Sequence, residues 1–166
     1  MMSSTGNYTS AFLYTPYGGL EKFTDRAELL AALKELARRE DATLFMVLLA
    51  GLQILLHRYT GERVVPVGTP VAGRGRSDTE HLIGFFANTL VVAADAGGDP
   101  SVRDFIARVR RAALGAYAHQ EIAFEKLVDH LQPARSLDRT PLFQVMLALQ
   151  NVSIEVPSLP GLSIEA

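Results

Sequence analysis

The 166-residue chain contains no cysteine, which excludes disulfides and thiolate metal sites. That composition fits a reducing cytoplasmic setting. No charge of one sign dominates: the net charge is −2 and the sequence pI about 6.1. Such a chain carries no broad field for nucleic acid or an acidic membrane. The apolar stretch 44–50 is soon interrupted by Gly51, Gln53, His57 and Arg58. It falls short of the ~20 apolar residues a membrane span needs. The opening MMSSTGNYTS lacks a basic segment followed by an apolar one, so no secretory signal is expected. The Asn-x-Ser/Thr triplets at Asn7 and Asn151 then read as chance matches. GTPVAGRGR lacks the Gly-Lys-Ser/Thr ending of a phosphate-binding loop, and no Gly-x-Ser-x-Gly elbow occurs. No His/Asp/Glu spacing suggests a metal site.

What is present describes a globular chain. Hydrophobic residues make up 48% and charged residues 20%, the balance of a folded domain. A chain of this size buries roughly 70% of its unfolded surface. Residues 1–23 are broken by Pro16, Gly18 and Gly19 and read as an irregular N-terminal arm or short strand that lies on something. Asp25 with Glu28 forms a capping-box variant before an amphipathic helix bearing Leu29, Leu33 and Leu36. Thr43 caps a second helix through Tyr59, stopped by Gly61. From Leu44 to Ala50 it is apolar on every side, predicting a central core helix buried all round.

Val64–Val71 reads as a strand in which Pro66 argues for an edge or a bulge. Phe85–Ala94 reads as a strand covered on both faces. Asp99-Pro100-Ser101 opens a third helix with proline in its first turn. Val102, Phe105, Ile106, Val109, Ala113 and Tyr117 line one side of it. A short helix over 123–131, a strand over 142–149 and a last strand over 162–165 complete the order. Mixed helices and strands imply an α/β or layered α+β class, with a mixed sheet flanked by helices.

Four segments then carry a resemblance. They are VVPVGTPVAGR ending at Arg74, LIGFFANTL at 82–90, HQEIAFEKLVDHLQPAR at 119–135 and RSLDRTPLFQVMLALQN at 135–151. In this order and spacing they resemble the condensation domains of nonribosomal peptide synthetases, over about residues 24–165. The helix ATLFMVLLAGLQILLHRYTG resembles the opening helix of that family's C-terminal lobe. The resemblance implies one lobe of a chloramphenicol-acetyltransferase-like fold, with 24–166 as a partial C-terminal lobe. It implies an amide bond formed between carrier-bound acyl and aminoacyl groups, in a tunnel between two lobes. The partners are peptidyl carrier proteins bearing phosphopantetheine arms. No cofactor bound to the chain itself is expected.

The family's catalytic signature, His-His-x-x-x-Asp-Gly, belongs to the N-terminal lobe. Here the histidines are His57, His81, His119 and His130; none are adjacent, and no Asp-Gly occurs. The chain is therefore expected to be truncated at both ends, to need the missing N-terminal lobe, and to be inactive alone. An apolar inter-lobe face left open would favour self-association.

The resemblance points to five tunnel or inter-lobe residues. Arg74 would grip the aspartate of the histidine motif across the lobes, against a bland reading as a solvated loop arginine. Asn88, in an otherwise apolar strand, would face the tunnel or tie the strand to a loop. His119 would act as a second acid or base, or simply favour the dipole at a helix end. Gln150 and Asn151 would approach the acceptor or thioester, or form a turn. The basic run Arg103, Arg108, Arg110 and Arg111 reads as a solvated helix face. Two rival functions stand beside condensation: a non-catalytic docking or structural module, and an oligomeric acyltransferase using His119.

Overall fold

The computed structural model describes residues 27–73, 84, 86–133 and 139–150 in full, and 10–15 and 18–22 by backbone. Strands β1 (Ser10–Thr15) and β2 (Gly18–Lys22) precede helices α1 (Ala27–Arg39) and α2 (Leu44–Thr60). Strands β3 (Val64–Val71) and β4 (Asn88–Asp95), helices α3 (Val102–Ala118) and α4 (Phe124–Leu131), and strand β5 (Val145–Gln150) follow. The sheet order is β2-β1-β5-β3-β4. β3 and β5 are parallel and the other pairs antiparallel, so the sheet is mixed. A parallel pair needs a long crossover, and α3 and α4 lie within the one from β3 to β5.

Local chemistry explains the helix ends. The Met46 amide donates to Thr43 Oγ1 at 3.2 Å, and Gly61, at φ 73°, donates to the His57 carbonyl at 2.8 Å. Both caps fall where the sequence places them. Ser101 caps α3 through the Asp104 amide; Pro100 therefore sits just before the cap rather than in the first turn. The Asp25 capping box, Phe85 and the expected strand at 162–165 lie outside the described residues.

One face of the sheet carries the core. Val67, Val92, Ala94 and Leu147 meet Met46, Leu49 and Ala50 of α2 and Phe105, Ile106, Val109 and Ala113 of α3. Four of the six residues predicted to line α3 are thus buried, whereas Val102 is exposed.

Five further expectations need correction. Residues 10–15 and 18–22, read as part of an irregular arm or one short strand, form two paired strands. β1 finds its partner at the far end of the chain, from Ser10↔Gln150 to Tyr14↔Met146, and local pattern does not encode so distant a pairing. α2 is not buried all round: Leu55 is 51% and Tyr59 83% exposed, because sheet and α3 cover one side only. β4 starts at Asn88 and buries alternate residues, Leu90, Val92 and Ala94, while Ala93 is exposed. It lies at the edge of the sheet among the described strands.

Pro66, in turn, sits in an inner strand without a bulge, since the β3–β4 register is unbroken. The parallel pairing with β5 is confined to Val67 and Gly68, so Pro66 and Pro70 flank it and their missing donors fall outside it. Finally β5 begins at Val145 rather than residue 142. Leu142 has φ 69°, and the Phe143 amide donates to the Pro141 carbonyl at 2.9 Å. This is a γ-turn of the strained hand, and it delays the strand.

Candidate functional site

A cleft of about 530 Å³ opens where the end of β3 and the start of β4 face the α3–α4 turn. Pro70, Gly73, Phe86, Ala87, Asn88 and Thr89 form one wall; Gln120, Glu121, Ala123, Phe124 and Glu125 form the other. Three of the four family-like segments, VVPVGTPVAGR, LIGFFANTL and HQEIAFEKLVDHLQPAR, thus meet around it.

Gly73 makes the first wall's turn. Its φ is 62°, and a Cβ there would lie 1.8 Å from the Phe86 carbonyl oxygen. Only glycine permits that approach.

Asn88 joins the two walls. Its Nδ2 donates to the carbonyls of Gln120 and Ile122, each at 2.8 Å. Its Oδ1 accepts from the Thr89 amide at 2.8 Å and the Phe124 amide at 3.1 Å. An asparagine amide offers two donor hydrogens and two acceptor lone pairs, and here all four are engaged within the chain.

Beneath α4 lies an aromatic support. The rings of Phe124 and Phe143 pack edge to face with centroids 5.6 Å apart. Phe143 lies directly on Gly68 of β3, where a Cβ would come within 2.6 Å of the ring. The turn that delivers Phe143 is held by Gln144 Nε2 donating to the Thr140 carbonyl at 2.7 Å, and by Thr140 Oγ1 donating to the Phe143 carbonyl.

The sequence-predicted residues divide. Asn88 lines the cleft and binds the backbone of the His119–Phe124 segment. His119 itself is exposed at the C-terminus of α3, its Nδ1 2.9 Å from the Gly115 carbonyl, and does not line the cleft. Gln150 ends β5 opposite Ser10, exposed and away from the cleft. Arg74 and Asn151 lie outside the described residues.

The basic run on α3 is less free than its sequence suggests. Arg103 pairs with Glu40 at 2.9 Å, and Arg110 holds both the carbonyl and the carboxylate of Asp41. Arg108 donates to the carbonyls of Asp95 and Gly97 at 2.8 and 2.9 Å. Three of the four arginines therefore bind neighbouring elements, while Arg103 and Arg111 remain exposed as a solvated face requires. At the other end of β4, Asp95 takes two bonds from Arg63, at 2.8 and 2.6 Å, and one from the Gly97 amide at 2.7 Å. The Arg63 guanidinium, then that amide, hold its carboxyl well below the usual carboxylate range.

Sequence reasoning missed Gln53. It reads as a mere interruption of an apolar helix, yet it is 1% exposed. Its Nε2 donates to the Val65 carbonyl at 2.8 Å and the Val92 carbonyl at 3.0 Å, tying α2 to β3 and β4 together. These acceptors flank the Pro66↔Ala93 pair in the register. The Oε1 is buried and has no hydrogen-bond partner among the described residues. A single amide among leucines was the available signal, because a buried polar group must find partners.

Comparisons with known proteins agree with this architecture. The condensation-domain family model matches residues 18–164. One of the linear gramicidin synthase proteins of Brevibacillus parabrevis is 53% identical over 89% of the chain. Phosphinothricin tripeptide synthetase PhsB of Streptomyces viridochromogenes is 46% identical over 81%. The chain spans 2% and 11% of those two proteins, respectively.

Among solved structures, the four-domain nonribosomal peptide synthetase AB3403 superposes with a TM-score of 0.70 at 28% identity. That match covers 83% of this chain and 10% of AB3403. The X-domain from teicoplanin biosynthesis gives 0.67 at 29% identity, covering 82% of this chain and 28% of the X-domain chain. The layered mixed sheet is that of the chloramphenicol-acetyltransferase-like fold. By sequence and by fold, the chain belongs to the condensation-domain family of nonribosomal peptide synthetases.

Proposed function

We propose that this chain forms part of the C-terminal lobe of an amide-forming condensation domain and works in the cytoplasm. The acceptor's amine nitrogen attacks the donor thioester carbonyl, the C–N bond forms, the C–S bond breaks, and the carrier thiol leaves. Peptidyl carrier proteins deliver both reactants on phosphopantetheine arms. The observation that carries the reading is a family match over 18–164 in a chain without paired histidines. Proton handling at the amine then needs a group from another lobe. Arg74 is the inter-lobe tie, because a guanidinium can hold a carboxylate with two parallel bonds. Gln150 and Asn151 border the tunnel. The exposed Leu55 and Tyr59 on α2 support self-association when the partner lobe is absent.

The test is an amide-forming assay with loaded donor and acceptor carrier proteins. The chain alone is expected to give no turnover. A separately produced lobe bearing His-His-x-x-x-Asp-Gly should restore it, and Arg74→Ala should weaken the restored activity. Robust turnover by the chain alone would overturn the proposal.

A second reading is a docking module without catalysis. The teicoplanin X-domain, which shares the fold, has been solved in complex with OxyB, and that observation favours it. The arginines of α3 do not add to it, since three are engaged internally.

A further inference from the structure

We infer that Asn88 is a positioning residue: with Phe143 it forms a two-point clamp that holds α4 as a hinged wall of the cleft. The first observation is how little else secures α4. None of its side chains is fully buried, whereas α2 and α3 each bury four or more residues. Apolar burial is the main source of tertiary stability, so α4, whose Phe124, Leu127 and Val128 are only half-buried, is held by burial less firmly than its neighbours.

Two contacts replace that burial. Asn88 bonds to three backbone groups across the turn and the first residue of α4. Ala123, at the N-cap of α4, makes no side-chain capping bond. The Asn88 oxygen, from a different strand, accepts from the Phe124 amide instead and so caps the helix from outside. That oxygen satisfies one of the orphan donors of the first turn.

Phe143 is the second contact. Its ring is pinned between Gly68 and Phe124. Leu142 pays for that aim with a positive φ of 69°, a conformation a branched side chain seldom adopts. Strained backbone persists only where its surroundings over-determine it. Here they do so through the Thr140 and Gln144 bonds and the ring contacts. Because α4 and the turn before it make one wall of the cleft, both contacts act on its width. This assignment does not depend on the amide-forming reading and would stand if that reading failed.

The absence of cysteine makes the experiment clean. Nitroxide labels at Ala93→Cys and Lys126→Cys, both exposed sites, report the distance between sheet and α4 by pulsed electron paramagnetic resonance. The parent should show one narrow distance. Asn88→Ala and Phe143→Leu should each lose it to a broad distribution, with the core still folded by circular dichroism. Gln53→Ala serves as the control for general destabilisation. It should lower the melting temperature and leave the narrow distance intact. If Asn88→Ala does not fold, Asn88→Asp, which keeps the acceptor oxygen and loses both donors, takes its place with the same expectation. A narrow distance retained in the Asn88 and Phe143 variants overturns the clamp. So does equal broadening in Gln53→Ala.

Discussion

The α2–α3 layer and the α4 wall pack on the same sheet by opposite means. In the first, Phe105, Leu49, Ile106 and Val109, with Val67 and Val92 of the sheet beneath them, are almost entirely removed from solvent. The one polar member there, Gln53, fastens the helix to two strand carbonyls. In the second, one asparagine and one aromatic pair do the holding. Burial is additive and non-directional, so the core tolerates the loss of any single polar bond better than the wall does. Four hydrogen bonds converging on one amide are directional, and removing that amide removes them together. Local openings draw on regions with few buried contacts. The cleft wall is such a region and the core is not.

Three perturbations sharpen this contrast, from the largest effect to the smallest. Phe105→Ala removes a ring that is 1% exposed and should cost about 3–5 kcal/mol of global stability. Denaturant unfolding would measure it, and a loss confined to α4 would contradict the division between core and wall. Leu142→Gly should have the opposite sign. Relief of a left-handed residue is worth about 1–2 kcal/mol, offset in part by the freer unfolded glycine chain and the lost side chain. Unfolding stability is therefore expected to hold or rise slightly, and to exceed that of Leu142→Ala. A loss as large as that of Phe105→Ala would show that the γ-turn carries no strain.

The smallest effect concerns acid. The folded-state pKa of Asp95 is depressed by Arg63 and the Gly97 amide. A depressed carboxylate stabilises the fold above its unfolded pKa, near 3.9, and that contribution is lost as the pH falls below it. Asp95→Asn should flatten the acid limb of stability below about pH 4 and change little at pH 7 by comparison with the core variants. The pair is exposed, at 73% and 41% of the two side chains, so salt should shrink the difference further. An acid limb identical to that of the parent would remove Asp95 from the account.

Features set by neighbouring residues were legible in the sequence. Thr43 and Gly61 punctuate a helix through bonds that span three or four positions, and the run 64–71 is a strand. The family-like segments also located the cleft, since three of them form its walls. Less was legible where partners are remote. Asn88 was visible as a polar residue in an apolar strand, but its acceptors lie 32 and 34 residues away. Gln53 looked like a blemish because one of its acceptors is 39 residues distant.

The sequence by itself determined what nearest neighbours decide: helix caps, strand content, family, and the absence of a paired-histidine motif from this chain. Tertiary structure alone decided that β1 pairs with β5, that one side of α2 stays exposed, and that His119 stands outside the cleft while Asn88 closes it. The physical reason is the range of the interactions. A cap or a hydrophobic period is written within one or two turns of chain. A strand register or a shared amide is settled only when distant segments compete for the same donors and the same buried space.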